Sequence, residues 1–187
     1  MIKTIIKVGG SLLDLPDITE RLQSWLQQFT LRPAWVMCGG GEYADSIRAR
    51  QPWVGWCDAE AHDLAVLAMD ANTYETAELL DLNVIEVTNP RSKNHESDYT
   101  AIAVSPFLNG AESQCEGAVL PQNWSATSDS IAARIATVFD IPNVVLLKSA
   151  APPSEDFESL QDCGYIDSAF ISMLSEKTNV QFINLRG

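Results

Sequence analysis

The stretch IKTIIKVGGSLL, Ile2–Leu13, decides the fold. Ile2–Val8 reads as a buried strand. It runs directly into two glycines and a serine, with Lys7 just short of the pair. The stretch CGGGEYAD, residues 38–45, repeats the design. Ala34–Cys38 reads as a second strand, Gly39, Gly40 and Gly41 follow it, and Glu42–Arg50 has a helical pattern. Continuous apolar strands that give way to helices make a mostly parallel sheet covered by helices on both faces. Ligands of such sheets bind beyond the carboxyl ends of the strands, where both glycine runs fall.

The same alternation continues along the chain. Ile18, Leu22, Trp25, Leu26 and Phe29 form one apolar stripe, which predicts an amphipathic helix. Asp58–Leu80 is a long Ala- and Leu-rich helical stretch, and Asn83–Thr88 reads as a strand. Ser97–Asn109 reads either way, with strand favoured around Ile102–Val104. Ser128–Phe139 reads as a helix, Asn143–Lys148 as a strand, Asp167–Glu176 as a helix and Val180–Leu185 as a last strand. Ala150–Gln161 reads as a surface loop. No repeat and no long linker divides the chain, so a single domain is expected.

Composition narrows the function. The 187 residues suffice for one compact domain with a real core. Apolar content of 46% with 20% charged residues is that of a soluble globular chain. No apolar run approaches the roughly 18 residues of a membrane span. The N-terminus enters a strand without a signal-peptide pattern, which makes the cytoplasm the expected location. Four cysteines far apart with no CxxC fit reduced thiols better than a disulfide framework or zinc site. A net charge of −13 argues against nucleic acid and anionic membrane as partners. It also singles out the few lysines: Lys3, Lys7, Lys93, Lys148 and Lys177.

Glycines after a strand let backbone N–H groups at the next helix cradle an anion. Lys7 would add a point charge suited to a transferring phosphoryl group. The loop is neither GxxxxGK[ST] nor GxGxxG. A tight turn would explain the first pair equally well, whereas three glycines in a row favour close approach of backbone to a ligand. In LPQNWSATSDSIAARIA, Leu120–Ala136, the residues Thr127–Ser130 precede a helical pattern. Helix capping accounts for them fully. In VVLLKSA, Val144–Ala150, a second lysine ends a buried strand, where snorkelling to solvent is an alternative. The two histidines fit no catalytic arrangement: His62 lies on the long helix, and His95 lies in the polar loop PRSKNHESD.

Together, K-x-G-G-S on the first strand, G-G-G after the second, T-S-D-S-I-A-A and L-L-K-S resemble, in order and spacing, the amino acid kinase family, which includes acetylglutamate, aspartate and uridylate kinases. The resemblance covers nearly the whole chain. GGGEYADSIR, AEAHDLAVLAMDAN, LPQNWSATSDSIAA and GYIDSAF are similar to the small kinases assigned to methanofuran biosynthesis, a branch of C1 metabolism. Those phosphorylate an (aminomethyl)furanylmethyl phosphate to its diphosphate.

The resemblance implies a three-layer αβα sandwich. It implies an acceptor-binding half over about residues 1–110 and a nucleotide-binding half over about 111–187. The substrates would be a small phosphorylated or carboxylated metabolite and ATP, with Mg²⁺ carried by the nucleotide phosphates and no dedicated metal ligands. Lys7 and Lys148 would stabilise the transferring group and Asp129 would orient them. Gly9, Gly10, Ser11, Gly39, Gly40 and Gly41 would hold phosphate. Asp45, Arg48, His62, Thr127 and Ser128 would meet substrate, with a solvated helix arginine as the plainer reading of Arg48. A homo-oligomer, dimer or higher, is also implied. The chain departs from the pattern in lacking a G-G-M-x-x-K stretch, in having Ser125 after the tryptophan, and in continuing L-L-K-S with AAPP. A uridylate or amino-acid kinase, or a non-catalytic anion- or nucleotide-binding protein on the same fold, stays open at this point.

Overall fold

The computed structural model describes residues 1–89 and 97–187. Its strands are β1 (Thr4–Val8), β2 (Ala34–Cys38), β3 (Val84–Glu86), β4 (Tyr99–Ala103), β5 (Asn143–Lys148) and β6 (Asn179–Asn184). They form one six-stranded sheet in the order β3-β4-β2-β1-β5-β6, and every pairing is parallel. The helices are α1 (Ile18–Gln28), α2 (Gly41–Val54), α3 (Asp58–Leu80), α4 (Ser105–Gly110), α5 (Ser128–Val138), α6 (Phe157–Asp162) and α7 (Phe170–Met173). This is the α/β sandwich that the alternation predicts. Among the described residues no helix is long and apolar enough to cross a membrane.

The sheet divides its side chains by the two-residue period of a strand. Ile5, Trp35, Met37, Val144 and Leu146 join one core cluster with Val66 and Met69 of α3 and Ile131 and Ile135 of α5. Ile6, Val8, Val36, Val145 and Leu147 join the other, with Leu22 and Leu26 of α1. Lys7 keeps step with Ile5, and Lys148 with Val144 and Leu146. Both lysines therefore project on the α5 face, at the carboxyl ends of adjacent strands. The register sets Lys7 beside Leu146, two residues before Lys148.

Several boundaries differ from those read in the sequence, each for a local reason. Ser97–Asn109 splits into β4 and α4, because Asp70 of α3 accepts hydrogen bonds from the N–H groups of Val104 (2.7 Å) and Ser105 (3.0 Å) and so caps a new helix. Ala150–Gln161 is not all loop: Asp156 accepts from the Ser159 N–H at 2.8 Å and starts α6. The helix expected over Asp167–Glu176 shrinks to α7, since Asp167 serves another helix, as described below. His95 lies outside the described residues.

Candidate active site

The glycine runs prolong the sheet. The Gly9 N–H donates to the Leu147 carbonyl and the Gly39 N–H to that of Val8, both at 2.8 Å. The two loops then meet backbone to backbone. A Cβ on Gly10 would stand 2.4 Å from the Gly41 nitrogen, and Gly41 itself has φ of +51°. Gly10, Gly39 and Gly41 are therefore required first by one another, a structural reason that the single loops did not disclose. Asn72 of α3 donates to the Gly39 carbonyl at 2.7 Å and fixes the second loop to that helix.

Asp129, on the first turn of α5, stands between the two lysines. Lys7 Nζ lies 2.8 Å from its Oδ1 as an ion pair, and Lys148 Nζ donates to its Oδ2 at 2.5 Å. Lys148 also donates to the Tyr165 carbonyl at 2.6 Å and lies over the Tyr165 ring. Asp129 and Lys7 are each 4% exposed, so neither is a solvated surface charge. Burial alone would raise the Asp129 pKa, but the Coulombic pull of Lys7 and Lys148 outweighs it and holds the carboxyl below its ordinary value. Burial lowers the pKa of Lys148, against the opposing effect of Asp129.

This geometry separates the two readings of Thr127–Ser130. Thr127 occupies the N-cap position but makes no side-chain cap. The cap comes from Asp167, far along the chain. Its carboxylate accepts from the Thr127 N–H (2.9 Å) and hydroxyl (2.7 Å), from the Ser130 N–H (3.0 Å) and from the Ser130 hydroxyl. Asp129 is thus released from capping and turned toward the lysines.

A cavity of about 290 Å³ opens beside this group. Gly10, Ser11, Gly39, Gly40 and Gly41 line one part of it; Asp45 and Arg48 of α2, His62 of α3, and Trp124, Thr127 and Ser128 line the rest. Arg48 is not merely solvated: its guanidinium stacks 4.3 Å from the Trp124 ring centre. The Trp124 indole N–H donates to Gln51 Oε1 at 2.6 Å, which ties the loop before α5 to α2. Ser11 sits exposed at the mouth, its hydroxyl 3.0 Å from that of Ser149. His62 is 6% exposed, and neither ring nitrogen has a hydrogen-bond partner. Burial lowers its pKa, with Asp63 acting the other way, so the ring is neutral near pH 7. An orphaned buried polar group costs on the order of 1–3 kcal/mol.

The structure thus gathers Lys7, Asp129 and Lys148 into one cluster, and brings Asp45, Arg48, His62, Thr127 and Ser128 to one cavity with Gly10, Ser11 and the second glycine loop. Gly9 lies beneath, against Leu147. Sequence reading gave no role to Asp167, Tyr165, Trp124 or Asn72. Asp167 stands within GYIDSAF, an acid among apolar residues, which was the one available sign.

No protein-family profile matches the chain. The [5-(aminomethyl)furan-3-yl]methyl phosphate kinase of Methanocaldococcus jannaschii is 24% identical over 144 residues, 76% of this chain and 63% of that protein. The chain thus spans less than two thirds of that relative. The crystal structure of UMP kinase from Ureaplasma parvum superposes with a TM-score of 0.60 at 14% identity, over 100% of this chain and 91% of that one. UMP kinase from Bacillus anthracis gives 0.63 at 13% identity, over 99% and 88%. The fold is that of the amino acid kinases, as the sequence motifs imply.

Proposed function

We propose that this protein is an ATP-dependent kinase that transfers the γ-phosphoryl group to the phosphate of a small alcohol phosphate, with [5-(aminomethyl)furan-3-yl]methyl phosphate as the acceptor. The observation that carries the reading is the Lys7–Asp129–Lys148 cluster at the strand ends, set beside the paired glycine loops. The relative named for that acceptor supports the choice of substrate.

Phosphoryl transfer asks a protein for positioning and for neutralisation of charge on the equatorial oxygens. An acceptor phosphate oxygen attacks the γ-phosphorus, a new P–O bond forms, and the bond to the ADP oxygen breaks. The acceptor oxygen is already ionised, so no general base is needed. Lys7 and Lys148 offer N–H donors to the transferring group, and Asp129 holds them in place without spending a donor on solvent. The acceptor phosphate lies by Gly10 and Gly39–Gly41, with Arg48 within reach of it, and the nucleotide comes from the Lys148 side, over the half formed by about residues 111–187. Both Asp129 oxygens are engaged by lysines, and among the described residues no three His, Cys, Asp or Glu side chains converge. The nucleotide phosphates are therefore what would hold Mg²⁺.

The test is incubation with MgATP and each of three acceptors: the furan phosphate, UMP and N-acetylglutamate. Phosphorus NMR is expected to show the furanylmethyl diphosphate growing with ADP, and no product from the other two. Turnover of UMP or N-acetylglutamate without turnover of the furan phosphate would overturn the reading.

A further inference from the structure

We propose that His62 selects the acceptor by accepting a hydrogen bond from a primary ammonium group at the end remote from the phosphate. The site would then take molecules that carry phosphate at one end, a small apolar core, and an amine at the other. This rests on the kinase reading above and adds the residue that gives it specificity.

The helix α3 acts as a ruler along the cavity. Asn72 grips Gly39, and the Ala65 carbonyl lies beneath Gly40, 3.5 Å from where a Cβ would stand. His62 is one turn further from the glycine loops, on the same wall. Between the two ends the lining is apolar, from Ala65, Val66, Met69 and Ile131. The far end holds a 94%-buried imidazole with two unpartnered nitrogens. A neutral imidazole has one acceptor nitrogen, and a ligand that donates to it satisfies the group.

Charge favours an ammonium as that donor. Asp45 stands on the wall of the same cavity. Asp63 lines a neighbouring cavity of about 520 Å³ that shares His62 as its boundary. In the reading above the arginine on this cavity, Arg48, serves the phosphate end, and its guanidinium also stacks on Trp124. A buried neutral acceptor with the Asp63 carboxylate close by suits a cationic donor and disfavours an anionic end.

The experiment measures binding by calorimetry to the wild type, His62→Phe and His62→Asn. Two pairs of probes are used: the aminomethyl furan phosphate against its 5-methyl counterpart, and 3-aminopropyl phosphate against propyl phosphate. The wild type is expected to prefer the amine of each pair by about tenfold or more, the range for a hydrogen bond to a charged group. His62→Phe is expected to bring the ratio to about one, and His62→Asn to retain part of it. Should His62→Phe fail to fold, imidazole ¹⁵N shifts of the wild type give the same answer, because the chain has two histidines and His62→Asn assigns the signals. The His62 signals should move with amine probes and stay with their amine-free counterparts.

An unchanged amine preference in a folded His62→Phe would overturn the proposal. So would His62 signals indifferent to the amine, or a wild type that binds none of the four probes. If the aminopropyl pair shows the His62-dependent preference while the furan pair does not bind, the role of His62 stands and the furan assignment fails.

Discussion

Asp129 balances a buried and a half-buried lysine with one carboxylate, and that arithmetic governs what a single substitution does. Had Asp129 only capped a helix, Asp129→Asn would be almost silent, because Asn caps as well as Asp. Within the cluster, Asn leaves two lysines, one of them fully buried, facing each other without a counter-charge. The expected outcome is a loss of about 3–5 kcal/mol by urea unfolding, as for other broken buried pairs, with turnover down on the order of 10²-fold or more. A variant as stable and as fast as the wild type would remove the carboxylate from both roles. The depressed Asp129 pKa sets the sign of the pH effect. Its contribution to stability is complete above the ordinary Asp value of about 3.9 and is lost only as pH falls through the lower folded value. Lys148 behaves oppositely. Because its pKa is lowered by burial, its charge disappears at a lower pH than that of a free lysine. The rate should therefore fall on the alkaline side before about pH 10.4, and Lys148→Arg should carry that limb upward if the charge is what matters. The lysines were legible in the sequence because each closes an apolar strand. Asp167 was not, because its partners Thr127 and Ser130 lie 40 and 37 residues away and no local pattern joins them.

Among the elements, α5 depends on a cap borrowed from the segment before α7. Asp167→Ala removes hydrogen bonds to three backbone N–H groups, Ala169 included, and two hydroxyls at once. A loss of about 2 kcal/mol is expected in chemical unfolding, with Asp167→Asn costing less. Since the first turn of α5 carries Asp129, the same alanine variant should lower kcat as well; a stability loss with kcat intact would confine Asp167 to folding. The long elements were readable. The bounds of β2, α3 and β5 agree with those read from the sequence, because β2 and β5 are unbroken apolar runs and α3 is a long Ala- and Leu-rich stretch. The short helices α6 and α7, of six and four residues, have too few turns to show a period. The glycine runs were legible as unusual, but their mutual contact was not, since it exists only once β1 and β2 are neighbours. Gly40 is held for a separate reason: a Cβ there would meet the Ala44 side chain at 2.4 Å and disturb the start of α2.

At the scale of the whole molecule, the halves proposed for the two substrates are not two folding units. β1 pairs with β2 on one side and with β5 on the other, and the cavity beside the glycine loops takes Trp124, Thr127, Ser128 and Ile131 from the second half. Alternating strands and helices foretold the layers, whereas the central place of β1 is a tertiary fact. A fragment ending at Gly110 would keep β1 with one edge unpaired and Lys7 without its carboxylate. It is expected to lack a cooperative thermal transition by circular dichroism, and a sharp transition in that fragment would contradict this view.

The position of β1 has a consequence for biosynthesis. β1 is made long before β5, the strand that pairs with it on one side. Until β5 emerges, the nascent chain holds an open strand edge and a lysine with no counter-charge, the kind of exposed surface that chaperones recognise and that aggregates when synthesis stalls. The Lys7–Asp129–Lys148 cluster is therefore also a checkpoint of synthesis: it closes only when the ribosome has delivered the chain through Lys148.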